Sequence, residues 1–115
     1  MPSTGWLLRD GEVLAALEVA STFRERSRGL LGRPGIDGAL LLRPARSVHS
    51  MGMQFTIDVA FCDREMVVVR TICLRPDRFT RPLLRSGCVI EAETGSFDRW
   101  RLRPGDQLEV REVEE

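Results

Sequence analysis

His49 is the only histidine of the chain, and it sits in its most unusual stretch, Ser47-Val48-His49-Ser50-Met51-Gly52-Met53-Gln54-Phe55-Thr56-Ile57-Asp58. An imidazole titrates near neutrality, and a carboxylate that fixes its tautomer makes it a general base. Asp58 closes the same stretch. It interrupts an apolar run of Phe55, Ile57, Val59 and Phe61 from the opposite face of a strand. A carboxylate buried there needs a partner. A second acid, Glu91, lies inside the apolar run Val89-Ile90-Glu91-Ala92. The candidate catalytic residues are therefore His49, Asp58 and Glu91. A histidine that bonds an aspartate or a backbone group, knitting one corner of a sheet, accounts for His49 and Asp58 equally well, and we prefer that structural account. Glu91 is expected to pair with Arg28 or Arg33, and Asp106 to fix a turn.

Other chemistries have weaker support. One histidine among scattered carboxylates lacks the three or four convergent ligands that zinc takes, so no metal is expected. Cys62, Cys73 and Cys88 are widely spaced among apolar neighbours. They match no zinc or redox motif and read as buried thiols. Gly29, Gly32, Gly35 and Gly38 do not form a phosphate cradle, because the first two fall at a helix C-terminus, where the dipole repels anions. No cofactor is expected. Arg75, Arg78, Arg81 and Arg85 surround Phe79, with Asp77 as the lone acid, a local charge of about +3. Arginine beside an aromatic suits single strands or phosphorylated partners. A solvated arginine loop is the simpler account.

Bulk composition sets the frame for these residues. The length of 115 residues suits one domain, with a core large enough to need no metal or disulfide. Hydrophobic residues at 43% and charged residues at 30% match soluble globular chains rather than disordered ones. Seventeen basic residues, all arginine, balance 17 acidic ones. No global field draws the protein to nucleic acid or an anionic membrane, so nucleic acid is not an expected partner. No apolar run approaches the length of a membrane span. The N-terminus lacks a secretory pattern, which makes the cytoplasm the expected compartment.

The elements that position the candidates can be read from periodicity and turn residues. Asp10-Gly11 between Trp6-Leu7-Leu8-Arg9 and Glu12 to Val19 predicts a β-hairpin, with Val13, Ala15, Leu17 and Val19 facing the core. Thr22 and Glu25 form a capping-box pattern, and Gly32 with Pro34 ends a short helix over 23–31 whose face Phe23, Ser27, Leu30 and Leu31 packs inward. Further β runs fall at Ala39 to Arg43, Ser47 to Ser50, Phe55 to Cys62, Met66 to Leu74, Cys88 to Glu93 and Gln107 to Val113. Pro76 to Ser86 reads as a surface loop, Ser96 to Arg99 as a helical turn, and Glu112 to Glu115 as a fraying tail. The fold class is mainly β: an antiparallel sandwich or distorted barrel of about seven to nine short strands with one short α-helix.

Several of these segments, in order, resemble the domain-of-unknown-function 192 family of small bacterial and archaeal domains. Arg28-Gly29-Leu30-Leu31-Gly32-Arg33 is similar to the family's Arg-Gly-Leu-Met-Gly-Arg helix end. His49 to Asp58 is similar to its His-Thr-Phe-Gly-Met-x-Phe-Pro-Ile-Asp motif, differing at Ser50, Met51 and Thr56. Val89-Ile90-Glu91-Ala92 and Pro104-Gly105-Asp106 fall where the family carries Val-Leu-Glu-Leu and Gly-Asp. The resemblance implies a β-rich fold with a short helix and supplies no activity. Without a nucleophile–base pair, a metal set or a nucleotide loop, the expected function is a non-catalytic binding or accessory module. It would use the surface around His49 to Asp58, with Met51, Met53, Arg28 and Arg33 as binding candidates and an unidentified protein or small molecule as partner. The alternative is a small enzyme with His49 as acid/base, oriented by Asp58 or Glu91.

Overall fold

The computed structural model describes residues 3–113. Seven strands form one mixed sheet: β1 (Ser3–Arg9), β2 (Glu12–Ala20), β3 (Ala39–Leu42), β4 (Ile57–Cys62), β5 (Val68–Leu74), β6 (Cys88–Glu93) and β7 (Glu109–Glu112), in the order β5-β4-β6-β3-β2-β1-β7. Two short helices, α1 (Phe23–Arg28) and α2 (Ser96–Trp100), accompany it. The mainly β class holds. All neighbours are antiparallel except β2 and β3, which run parallel from Leu17↔Ala39 to Ala20↔Leu42 because α1 lies in the crossover between them. The sheet does not close. An isolated bridge, Val67↔Gln107, nevertheless brings the approaches to its two edge strands together, so the sheet curls around one face.

The hairpin forms as its turn residues require, with positive φ at both Asp10 and Gly11. Leu17 and Val19 are buried as expected, whereas Val13, close to the turn, is exposed. Every residue of β3 and β4 is buried, and apolar layers cover both faces of the central strands. One layer joins Leu7, Leu17, Leu41, Ile90, Phe97 and Leu108. The other joins Leu30, Leu40, Val48, Met53, Val59 and Val89. Gly38 precedes β3 with φ +80, and a Cβ there would lie 2.4 Å from the Ala16 carbonyl oxygen. The close approach of β2 to β3 depends on that missing atom.

Three local expectations need correction. α1 stops at Arg28 rather than reaching residue 31, because Gly29 adopts φ 47 and ends it. Leu30 then packs on the sheet from outside the helix, while Phe23 is 78% exposed and Leu31 is exposed as well. No residue of α1 is buried. Residues 47–50 form no strand beyond a single bridge, His49↔Phe79. Cys73 is exposed rather than buried, with its sulfur 3.7 Å from Thr94 Oγ1. Cys62 and Cys88 are buried opposite each other on β4 and β6. That neighbour and burial together push the Cys62 thiol up. Of the C-terminal tail, Glu112 belongs to β7, and Glu114 and Glu115 lie outside the described residues.

Candidate functional site

A cleft of about 370 Å³ opens between the C-terminal end of α1 and the segment that follows β3. Arg28, Leu31, Arg46, His49, Met51 and Glu91 are among the residues that line it. Each wall has a local cause. At the start of α1, Thr22 Oγ1 accepts from Glu25 N at 3.1 Å and Glu25 Oε1 accepts from Thr22 N at 3.1 Å. This is the capping box that the sequence predicts. The Thr22 N–H, and after it the Ser21 N–H, hold the Glu25 carboxyl below its ordinary value.

The opposite wall is held by the arginine-rich loop. Ser50 N donates to the Arg78 carbonyl at 2.7 Å, Asp77 N to the Ser50 carbonyl at 2.9 Å and Thr80 N to the Val48 carbonyl at 2.9 Å. The Ser50 hydroxyl, fully buried, donates to the Arg75 carbonyl and accepts from Arg78 N at 3.0 Å. Gly52 N donates to Asp77 Oδ1 at 2.9 Å. The loop from Pro76 is thus a backbone brace for the His49 segment, while Arg75, Arg78, Phe79, Arg81 and Arg85 stay exposed.

Glu91 gives the cleft its chemical character. It lies on β6, opposite Leu40 on β3 and Val59 on β4, in the middle of an apolar face. The residue is 3% exposed, and its side chain has no hydrogen-bond or salt-bridge partner among the described residues. Every fully sealed side-chain nitrogen or oxygen among those residues does have a partner. The Glu91 oxygens therefore keep their small exposure, and the surface they line is the cleft. A Cβ on Gly29 would lie 4.0 Å from Glu91 Oε1, so the end of α1 passes directly over the carboxyl. Burial alone pushes the Glu91 carboxyl up to about 7. Arg28 and Arg46 line the cleft and their side chains have no hydrogen-bond or salt-bridge partner among the described residues, whereas Arg26 Nη1 donates to the Ser21 carbonyl at 2.6 Å.

The residues singled out in the sequence separate into two groups. His49, Met51, Met53, Arg28 and Glu91 meet at the cleft. His49 is exposed, and its Nδ1 accepts from Met51 N at 3.3 Å, leaving Nε2 to carry the proton of the neutral ring. Met51 is exposed and Met53 buried. Asp58 and Arg33 lie elsewhere. Asp58 Oδ2 accepts from Gly95 N at 3.0 Å and Phe97 N at 3.1 Å, which satisfies the start of α2, and Asp58 is not a cleft residue. Arg33 forms a bidentate pair with Glu18 at 2.7 and 3.0 Å instead of pairing with Glu91. Asp106 fixes its turn as expected, accepting from Arg103 N at 2.9 Å and pairing with Arg9 at 2.9 Å. No group of three or more His, Cys, Asp or Glu side chains among the described residues is placed to hold a metal. Arg26 and Arg46 are lining arginines that the sequence did not single out as candidates, and no motif marks either.

Comparison with known proteins agrees with this architecture. The family model for DUF192, described as Uncharacterized ACR, matches residues 6–110. A UPF0127 protein of Thermococcus sibiricus is 34% identical over 105 residues, covering 86% of this chain and 68% of its own length. A UPF0127 protein of Pyrococcus abyssi is 30% identical over 98 residues, covering 81% and 84%. Two solved structures share the fold. A Sinorhizobium meliloti protein provisionally described as a transcription regulator superposes with TM-score 0.78 at 19% identity, covering 96% of this chain and 94% of that one. A Novosphingobium aromaticivorans protein of unknown function gives 0.74 at 18%, covering 95% and 84%. With the matched model spanning nearly the whole sheet and both walls of the cleft, the chain belongs to the DUF192 family.

Proposed function

We propose that this protein is a binding module for a small ligand, held in the cleft between α1 and the 44–53 segment with Glu91 at its floor. The observation that carries the reading is the Glu91 carboxyl, buried and without a partner among the described residues. A lone buried acid costs stability unless something it binds compensates for it. The cleft falls within the size range of small-molecule sites, roughly 300–1,000 Å³. Its walls of Leu30, Leu31, Val48, Met51 and Met53 supply apolar contact, and a few polar groups at floor and rim supply orientation. Methionine suits such a wall because it adapts to ligand shape.

A fragment library titrated into isotope-labelled protein tests the reading by amide chemical shift. Perturbations are expected to cluster at Gly29, Leu30, His49 and Met51 and to vanish in Met53→Asp. Clustering on the hairpin or on the Arg75 to Arg85 loop would reject it.

One observation favours a second reading, in which the cleft performs acid–base chemistry. Glu91, with its proton poised at about 7, and the His49 imidazole line the same cavity. Asp58 has no part in this version, being committed to α2. A bound fragment converted to product by the wild type but not by Glu91→Gln would support it over binding alone.

A further inference from the structure

Resting on the binding reading above, we propose that the ligand is a zwitterion: a primary ammonium on the Glu91 carboxylate, a carboxylate or similar anion on Arg28 and Arg46, and a short aliphatic body between them along the Leu31, Met51 and Met53 walls. The arrangement of charge carries the proposal. The floor has one acid and no base bonded to it, and the rim has two guanidinium groups bonded to no side chain among the described residues. A simple cation entering would pass the rim guanidiniums and be repelled. A simple anion would be held at the rim and have nothing to offer the floor. Only a ligand bearing both charges, cation inward, satisfies both ends.

Glu91 is 3% exposed whereas Arg28 and Arg46 are exposed, so the acid lies deeper in the cleft than the two arginines. A ligand that reaches both is expected to carry its charges at the two ends of a chain, as an ω-amino acid does, rather than on one carbon as an α-amino acid does. The charged or titratable groups that share the cleft with Glu91 are Arg26, Arg28, Arg46 and His49. From the adjoining strands it is faced by Leu40 and Val59, neither of which titrates.

The test uses ε-aminocaproate and γ-aminobutyrate as zwitterions, with hexylamine, hexanoate and hexanediol as one-ended and neutral controls. Binding is read by calorimetry and by amide shifts at the cleft. We expect a zwitterion to bind more tightly than hexylamine or hexanoate by about tenfold or more, and Glu91→Gln to weaken it by a similar factor. Arg28→Ala combined with Arg46→Ala changes only exposed side chains, so folding is preserved. It should weaken the zwitterion and hexanoate but leave hexylamine no weaker. Zwitterion affinity should rise with pH through about 7, as Glu91 ionises, and should do so equally in His49→Gln. Hexylamine or hexanoate binding as tightly as the zwitterion would overturn the proposal, as would tighter binding of hexanediol below pH of about 7. So would the absence of any cleft response to either zwitterion. In each case the fragment titration decides separately whether the cleft is a binding site.

Discussion

Glu91 and Asp58 are carboxylates on neighbouring central strands, and their surroundings give them different work. Asp58 accepts two backbone N–H groups at the start of α2. Asp58→Ala leaves those donors without an acceptor, and a loss of about 2–4 kcal/mol is expected in urea unfolding. Glu91 has no such donors among the described residues, and burial raises its carboxyl from 4.5 to about 7. Between those values the unfolded chain releases a proton that the folded chain retains. The contribution of Glu91 is therefore fully present below about 4.5, falls as pH rises and is flat above about 7, spanning at most about 3 kcal/mol. Subtracting the Glu91→Gln stability profile from that of the wild type should show this descent. A flat difference profile would mean that the acid is solvated. Glu91 is legible in the sequence as an acid inside an apolar strand. Its lack of a partner among the described residues is not, because the sequence offers Arg28 and Arg33 alike and only the fold gives Arg33 to Glu18.

At the scale of elements, local signals worked where the determinants were local. The Asp10-Gly11 hairpin, the Thr22–Glu25 capping box and β6 all fall where turn residues, caps and alternation place them. Thr22→Ala removes one half of the box and should cost about 1 kcal/mol. The sequence is silent where an element depends on a distant segment. Residues 47–50 have the composition of a strand but spend their hydrogen bonds on the Pro76 to Leu83 loop, and the parallel β2–β3 pair requires close contact at Gly38. Gly38→Ala combines positive φ with a backbone clash, so it should cost about 2 kcal/mol or more in thermal or urea unfolding. That is well beyond the effect of Thr22→Ala, and equal costs would show that the β2–β3 approach is loose.

Across the whole molecule, the two apolar layers share β3, β4 and β6, and adjacent residues of β3 feed opposite layers. Leu41 belongs to one and Leu40 to the other. We expect Leu41→Ala and Leu40→Ala each to lower a single unfolding transition by about 2–5 kcal/mol. Calorimetry resolving two transitions, with one substitution acting on each, would show that the layers fold independently. No helix among the described residues is long and apolar enough to cross a membrane.

By itself the sequence determined the mainly β class, the hairpin, the capped helix and a short catalogue of polar residues set in apolar runs. All of these follow from periods and dihedral preferences that act within a few residues. Tertiary structure decided which of those residues meet. It sent Asp58 to α2 and Arg33 to Glu18, and brought Glu91 under Gly29 into one cleft with His49 and two arginines that have no side-chain partner among the described residues. The reason is physical: a side chain's partner and its access to water depend on segments far away along the chain, and here β3, β6 and the end of α1 converge through a parallel crossover that no local pattern encodes.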